Sequence, residues 1–324
     1  MAKTKRVPTV DGAAPAGDGI RLVLNVRLEE MCALRDLALD WNDPEGVHQM
    51  RVASRRLRGA LKDFLPYLRK RPMSKCLREI RAIARALGRV RDDDVAIIAL
   101  ERIASDAPPE ISGGLLSFAA SRSAGREQAR VKLIQALTPD VLTYVKDSFP
   151  KSLNTALRPA QRKGAMTTAT TSGNLTYREI ANKIIARRLD EFEDLGKSFY
   201  RPLRVKPLHN LRIAAKHLRY ALELFDQSWG QEGTIPLSAV AAKVAALQSS
   251  LGSLHDCDVW IESFGDAIHQ APGEDFDKRA TSIWLLSYFV KLHGKHLSKA
   301  LTQWNEWQTN HVGGQMRSDL QSSS

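Results

Sequence analysis

The sequence predicts an all-α fold that contains two copies of one helical unit. Apolar residues recur at the spacing of amphipathic helices through most of the 324 residues, and no convincing strand-like alternation interrupts them. Hydrophobic residues make up 43% of the chain and charged residues 26%, which is the balance of a folded globular protein. In addition, segments of the first half recur in the same order in the second half.

Eleven segments have the apolar period of a helix. Pro44 and Pro72 lie where the first turn of a helix tolerates proline, and Gly88 and Gly252 lie where helices are expected to end. The predicted helices span residues 20–40, 44–68, 72–87, 94–105, 115–137, 139–148, 175–199, 205–229, 235–251, 258–270 and 276–307.

Composition divides the chain into two halves. Residues 150–174 are rich in Ser, Thr, Ala, Gly and Lys, which predicts a linker between a first half, 20–149, and a second half, 175–307. Residues 1–19 and 308–324 are predicted to be disordered tails. The polar start is expected to be neither a signal peptide nor an anchor. No run approaches about eighteen apolar residues, so no membrane partner is expected.

The internal duplication is visible at three places. Residues 47–64 align without gaps on residues 208–225, with eight of eighteen positions identical. LGRVRDDDV at 87–95 matches LGSLHDCDV at 251–259, and the cations at 122, 126 and 130 match those at 291, 295 and 299. Since chance similarity would not keep this order, we expect two copies of one unit, related by a pseudo-twofold axis.

The first repeated helix carries one continuous row of cationic or titratable side chains. Each residue of a helix turns by about 100°, so positions spaced by three and four fall on one face, opposite the apolar side chains. The row is His48, Arg51, Arg55, Arg58 and Lys62 in the first copy and His209, Arg212, Lys216 and Arg219 in the second, where Glu223 replaces the last cation. Like charges at this spacing repel by roughly 0.2 to 0.5 kcal/mol per pair. A single-sign row kept in both copies therefore predicts a polyanionic partner, and the arginine fork suits phosphate.

Other basic residues give less decisive patterns. For Arg122, Arg126 and Arg130, and for Lys291, Lys295 and Lys299, a binding role and an ordinary solvated face are equally supported. Lys75, Arg78, Arg81 and Arg85 are basic only in the first half, which favours a plain surface.

The histidines and aspartates admit two interpretations each. His48 and His209 open the rows, and the arginines around them oppose a metal ion, which favours hydrogen bonding to a ligand or a helix-start role. Asp92, Asp94, Asp256 and Asp258 follow Leu-Gly pairs, so helix capping is the first expectation. The alternative is that one aspartate of each pair supports an arginine of the row.

Charge and composition restrict the function classes. The net charge of +12 and the pI of about 9.7 indicate nucleic acid, an anionic membrane surface or a phosphate polymer as partner. The widely spaced Cys32, Cys76 and Cys257 predict neither a zinc site nor disulfides and fit a reducing cytosol. Common catalytic signatures are missing, so we expect no enzyme, no metal and no cofactor. Two alternatives remain. One is nucleic-acid binding, which the low aromatic content of 6% disfavours. The other is metal-dependent phosphate hydrolysis through His48, His209, His255 and the aspartate pairs.

The duplicated His-x-x-Arg-x-x-x-(Arg/Lys)-x-x-Arg helix, followed each time by Leu-Gly-x-x-x-Asp-x-Asp-Val, resembles the CHAD family, the conserved histidine α-helical domain. The resemblance spans residues 20–307 and implies two four-helix bundles related by pseudo-twofold symmetry. It also implies that basic helix faces line a groove or pore that binds inorganic polyphosphate. Carried over by position, the binding residues are His48, Arg51, Arg55, Arg58, His209, Arg212, Lys216 and Arg219, followed with less support by the later rows. The resemblance further implies a stand-alone binder in bacterial cytoplasm, associated with polyphosphate granules and lacking the catalytic domain of many relatives.

Overall fold

The structure is a computed structural model that describes residues 8–157, 175–229, 235–270 and 276–322. Over these ranges it is helical and contains no β-strand, only an isolated bridge between Pro15 and Thr176. The all-α prediction is confirmed. The helices are α1 (Ala16–Ala33), α2 (Arg35–Ala38), α3 (Pro44–Phe64), α4 (Lys70–Asp106), α5 (Pro109–Ala136), α6 (Pro139–Leu157), α7 (Tyr177–Gly196), α8 (Val205–Trp229), α9 (Leu237–Gln270), α10 (Phe276–Thr309) and α11 (Val312–Ser322).

The first compact unit comprises Met1–Leu100 and Ala119–Ile180. In this unit α1 packs on α3 and α6, and α2 packs on α3. Gly46 of α3 faces the carbonyl of Leu37 so closely that no Cβ would fit between the two backbones. The core is formed by fully buried apolar side chains, among them Ile20, Leu24, Met31, Met50, Leu57, Phe64 and Phe149.

The second compact unit comprises Glu101–Phe118 and Ala181–Ser324. It takes residues 101–118 from the first sequence repeat, so the compact units do not coincide with the repeats. Here α9 packs against both α8 and α10, and α11 packs against α10. Phe192 of α7 meets Trp304 and Trp307 of α10 edge to face, with ring centroids 5.5 Å and 5.2 Å apart. Such contacts anchor α7 on α10.

Two long helices replace four predicted ones. The sequence prediction ended helices near Gly88 and Gly252, but α4 and α9 run through both positions without interruption. Neither glycine adopts a left-handed backbone conformation, which a glycine helix terminator usually supplies. A glycine inside a helix costs only about 1 kcal/mol relative to alanine, and the packing of a long helix offsets that cost.

The predicted tails and linker are also more ordered than expected. Val10 is buried and α1 begins at Ala16, which corrects the assignment of residues 8–19 to a disordered tail; residues 1–7 lie outside the described ranges. Helix α6 continues to Leu157, so the linker begins later than residue 150, and residues 158–174 lie outside the described ranges.

The C-terminal segment is a helix and not a disordered tail. Val312, Met316 and Leu320 of α11 are buried at four-residue spacing. Arg317 forms ion pairs with Asp190 at 2.8 Å and with Glu193 at 2.6 Å. The prediction of disorder was therefore wrong for residues 308–322, because a helix of three turns that contains two glycines gives a weak periodic signal; residues 323–324 lie outside the described ranges.

Helix α9 is also the one described helix that length and composition alone would allow to cross a membrane. The segment Leu237–His269 has a mean hydropathy of 1.2 over its best window, of which 44% is buried. A core helix has the same properties, and α9 packs on two neighbours. The helix is therefore weak evidence for a membrane span.

The packing of α11 predicts a measurable loss of stability on truncating its buried face. Met316→Ala should lower the free energy of unfolding by about 2 to 5 kcal/mol, because it removes a buried side chain and leaves a cavity. Gln315→Ala, at an exposed neighbouring position, is the control. Urea unfolding of both variants checks this, and equal stabilities would restore the disordered-tail interpretation.

Candidate functional site

The cationic row on α3 lies on the side of the helix that faces away from the core. His48, Arg51 and Arg55 are half-buried, whereas Arg58 and Lys62 are exposed. The opposite face carries the buried residues Ala53, Leu57, Ala60, Leu61 and Phe64. The burial pattern is that of an amphipathic helix, with the apolar face in the core of the first unit.

Three consecutive aspartates in the middle of α4 connect the basic rows of α3 and α5. The Nη2 group of Arg51 on α3 donates a hydrogen bond to Oδ1 of Asp92 at 2.9 Å. Arg122 and Arg126 of α5 lie 3.6 Å from Asp93 Oδ1 and 3.5 Å from Asp94 Oδ1, respectively. The structure therefore brings the rows of α3 and α5 to one acidic segment of α4.

These contacts decide between the two interpretations of the first aspartate pair. Asp92 and Asp94 lie deep inside α4, so the helix-capping expectation was wrong for them. The alternative, that one aspartate of the pair supports an arginine of the row, describes Asp92, which contacts Arg51. Asp94 instead contacts Arg126 of the row on α5. Burial raises the pKa of Asp94, and the charge of Arg126 opposes that shift. The ion pair thus stabilises a carboxylate whose side chain is only 2% exposed.

Arg81 and Arg85, which the sequence assigned to plain surface, lie near Arg58 of the row on α3. Although the side chain of Arg58 reaches solvent, protein packed around it partly desolvates the guanidinium and lowers its pKa. The charges of Arg81 and Arg85 on α4 lower this pKa further, so the three guanidinium groups are close enough to repel. Burial and the charge of Arg91 likewise lower the pKa of His48. Sequence reasoning missed these residues because their proximity to α3 depends on helix packing.

Arg130 is held by an aromatic partner that the sequence did not indicate. Its guanidinium lies 4.8 Å from the ring centroid of Trp41, and Nη1 donates to Glu127 at 2.8 Å. Trp41 belongs to the turn between α2 and α3, which α5 approaches only in the folded chain. Arg130 therefore has a structural cation–π contact in addition to its place in the row.

The second unit forms a histidine pair at the position equivalent to His48. The Nδ1 atoms of His209 on α8 and His255 on α9 lie 3.3 Å apart, and the ring centroids lie 4.3 Å apart. Arg212 of α8 also lies against α9: its Nε is 3.8 Å from the position that a Cβ atom on Gly252 would occupy. Burial and then the charge of Arg212 lower the pKa of His255 to about 4 and also lower the pKa of His209. Both rings are therefore neutral at pH 7.

Helix α10 adds a further histidine and an aspartate contact. His293 Nε2 lies 3.1 Å from Asp258 Oδ1, and the side chain of Asp258 is 10% exposed. Asp258, like Asp256, lies inside α9, so the capping expectation was wrong here as well. The alternative, in which an aspartate of this pair supports an arginine of the row, does not describe Asp258 either, because Asp258 contacts His293.

The remaining predicted residues of the second unit differ in their surroundings. Arg219 pairs with Glu223 at 3.2 Å, so the residue that interrupts the row also neutralises its last cation. Lys216 is half-buried, and Lys291, Lys295 and Lys299 are exposed on α10. Burial lowers the pKa of His296, as do the charges of Lys295 and Lys299.

The first unit thus collects cations from α3, α4 and α5. The second collects cations from α8 and α10, and α9 adds the neutral imidazole of His255. Among the residues that the structure describes, no group of three His, Cys, Asp or Glu side chains is arranged to hold a metal ion. The pair of His209 and His255 lies beside the positive charge of Arg212, which disfavours a metal ion there. The guanidinium, ammonium and imidazole groups gathered in each unit are chemically suited to contacting an anion.

Comparison with known proteins identifies the architecture. The family model of the CHAD domain matches residues 23–264. The crystal structure of the CHAD domain from the plant Ricinus communis superposes with a TM-score of 0.69 at 20% identity, covering 94% of this chain and 96% of that chain. PptA from Streptomyces chartreusis superposes with a TM-score of 0.64 at 15% identity, covering 90% and 100% of the two chains. At these identities the two structures establish a shared fold. None of the curated proteins matches the chain.

The histidine pair predicts a loss of stability in acid. His255 has an unfolded-state pKa near 6.5 and a folded-state pKa of about 4, so between these values the unfolded chain binds more protons. Stability should therefore fall as pH decreases from about 6.5 to 4, by at most about 1.4 kcal/mol per pH unit for one proton.

Urea unfolding between pH 7.5 and 4.5 measures this effect. His255→Asn should flatten the pH profile, whereas His269→Asn, at an exposed position on the same helix, should leave it unchanged. If the wild type and His255→Asn lose stability equally as the pH falls, His255 is not the source of the pH dependence.

Proposed function

Because the chain belongs to the CHAD domain family, we propose that it binds inorganic polyphosphate through the basic faces of its two units. In the first unit the binding residues are His48, Arg51, Arg55, Arg58, Arg122, Arg126 and Arg130, joined by Arg81 and Arg85. In the second they are His209, Arg212, Lys216, Arg219, Lys291, Lys295 and Lys299, joined by His255.

The observation that carries this proposal is the arrangement of arginines around Asp92, Asp93 and Asp94. Each carboxylate contacts one guanidinium from a neighbouring helix, at distances from 2.9 to 3.6 Å. A guanidinium has five N–H donors, so a contact to one carboxylate oxygen fixes its position and leaves donors for phosphate oxygens. Pre-positioned side chains lose less conformational entropy when they bind.

The repeated spacing of the cations favours a linear polymer over a single small anion. Side chains three and four residues apart on a helix are about 5 to 6 Å from each other. A row of them presents positive charge at regular intervals, which suits a chain of consecutive phosphates. The partner is recognised by charge-assisted hydrogen bonds to many equivalent oxygens, and no apolar pocket is required.

The proposed role is binding without catalysis. The groups that surround His48 and His209 are mostly cations, which disfavour a divalent metal and favour an anion. We further propose that the protein acts in the cytoplasm in association with polyphosphate granules, as the family resemblance implies. Phosphate release from polyphosphate that a chelator abolishes would instead support a metal-dependent hydrolase.

Removing one arginine from each unit tests the proposed faces. Arg51→Ala/Arg212→Ala should weaken long-chain polyphosphate binding at least tenfold, because a hydrogen bond to a charged group contributes about 1.5 to 3 kcal/mol and about 1.4 kcal/mol corresponds to a factor of ten. Isothermal titration or fluorescence anisotropy at fixed salt provides the measurement. Affinity should also fall steeply as salt rises.

The control removes the same charge elsewhere. Arg69→Ala/Arg279→Ala replaces two exposed arginines outside the rows and should change affinity much less. Equal losses in both double variants would show that net charge, not the faces, determines binding. Competition by RNA and DNA at the same salt distinguishes polyphosphate from nucleic acid, and preferred binding of RNA would favour the nucleic-acid alternative.

A further inference from the structure

The segment that leads into α8, residues 200–206, includes the first two residues of that helix and exposes both apolar and cationic side chains. The exposed fractions of Tyr200, Leu203 and Val205 are 78%, 89% and 48%. Arg201, Arg204 and Lys206 alternate with them and are also exposed, and the segment contains no acidic residue. Within the described ranges none of these three cations forms an ion pair. We call this segment the basic turn.

The basic turn is held in place by the residues on both sides of it. Phe199 is buried, and its ring centroid lies 5.9 Å from that of Trp304. The backbone N–H of Arg201 donates to Ser198 O and that of Arg204 to Arg201 O, each at 3.0 Å. The exposed side chains therefore extend from a hydrogen-bonded turn that is fixed to the core of the second unit.

The equivalent turn of the first unit has the opposite charge. Helices α3 and α8 begin 161 residues apart, the offset of the sequence repeat, so residues 39–45 correspond to residues 200–206. Asp40, Asp43 and Glu45 stand where the basic turn has its three cations. Asp40 and Asp43 accept backbone N–H bonds within their own turn, at 3.0 and 2.8 Å. The fold itself therefore does not require a basic turn.

Helix electrostatics also disfavour cations at this place. The N-terminus of a helix carries partial positive charge, so acidic residues there are stabilising and basic residues are destabilising. Asp43 and Glu45 fit the start of α3, whereas Arg204 and Lys206 oppose the start of α8. A charge pattern that weakens its own helix points to a partner outside the chain.

The combination of side chains selects the kind of partner. A phosphate polymer would satisfy the cations but would gain nothing from Leu203 and Tyr200. An exposed segment of seven residues is too small for a stable protein interface, which buries about 800 Å² on each side. A lipid surface needs only a few apolar side chains in its headgroup region, flanked by cations that contact anionic headgroups.

We propose that the basic turn docks on a membrane surface that contains anionic phospholipid. Leu203 and Tyr200 enter the headgroup layer, and Arg201, Arg204 and Lys206 contact the lipid phosphates. The sequence-based expectation of no membrane partner concerned a spanning segment, and a docking turn does not cross the bilayer. This docking is independent of polyphosphate binding by the basic faces.

A fluorescent probe at the tip of the turn tests the proposal in the full chain. Cys32, Cys76 and Cys257 are buried, so Leu203→Cys supplies one accessible thiol for an environment-sensitive label. With vesicles of phosphatidylglycerol and phosphatidylcholine its emission should shift to shorter wavelength, and with phosphatidylcholine alone it should not. Asn42→Cys, at the equivalent exposed position of the first unit, should give no shift with either vesicle.

Vesicle co-sedimentation provides the second measurement. Leu203→Asp should lower the fraction of protein bound to the anionic vesicles at least threefold, whereas Asn42→Asp should leave that fraction unchanged. The basic faces can also attract anionic vesicles, but they cannot move a label at residue 203 into an apolar environment. Unshifted emission at 203 on vesicles that retain the protein would overturn the proposal, as would a shift that single-stranded RNA produces and vesicles do not.

Discussion

Repulsion between neighbouring arginines is the constraint on which the arrangement of the first unit depends. Arg51, Arg122 and Arg126 belong to two different helices, and packing those helices on α4 concentrates their charges. Asp92, Asp93 and Asp94 offset that repulsion at the centre of α4, where no helix end is present to explain them. Removing Asp92 would take away the ion pair of the partly buried Arg51, which is costly. The acidic segment of α4 therefore makes a dense basic surface compatible with a folded unit.

The second unit meets the same constraint with different residues. In place of Arg91 it has His255, which with His209 forms a pair that is neutral at pH 7. Asp258 contacts His293, and Glu223 neutralises Arg219. The first unit thus balances permanent positive charges with three adjacent carboxylates, whereas the second combines carboxylates with a pair of imidazoles that are neutral at pH 7. The two faces share helix positions but differ in how their charge responds to pH.

The sequence predicted what local periodicity determines and missed what tertiary contacts determine. The all-α class and the starts of α3 and α8 followed from apolar spacing and, for α3, from Pro44. The continuity of α4 and α9 did not, because a glycine inside a helix and a glycine after one look alike in a single sequence. Arg81 and Trp41 could not be assigned to the sites, since each reaches its partner only after helices distant in sequence have packed. His255 was grouped with His209 only in the hydrolase alternative, and its contact with His209 likewise depends on the packing of α8 on α9.

Proton binding and anion binding are coupled in the second unit through His255. Burial and the positive charge of Arg212 lower its pKa, so both favour the neutral ring in the free protein. A phosphate chain beside Arg212 would act in the opposite direction, because its negative charge stabilises the protonated imidazole. By linkage, a ligand that favours protonation binds more strongly where protons are more abundant. Arginines have no such response near neutral pH. If both faces bind phosphate, the second, with His209 beside His255, should therefore gain more affinity in acid than the first, whose row contains His48.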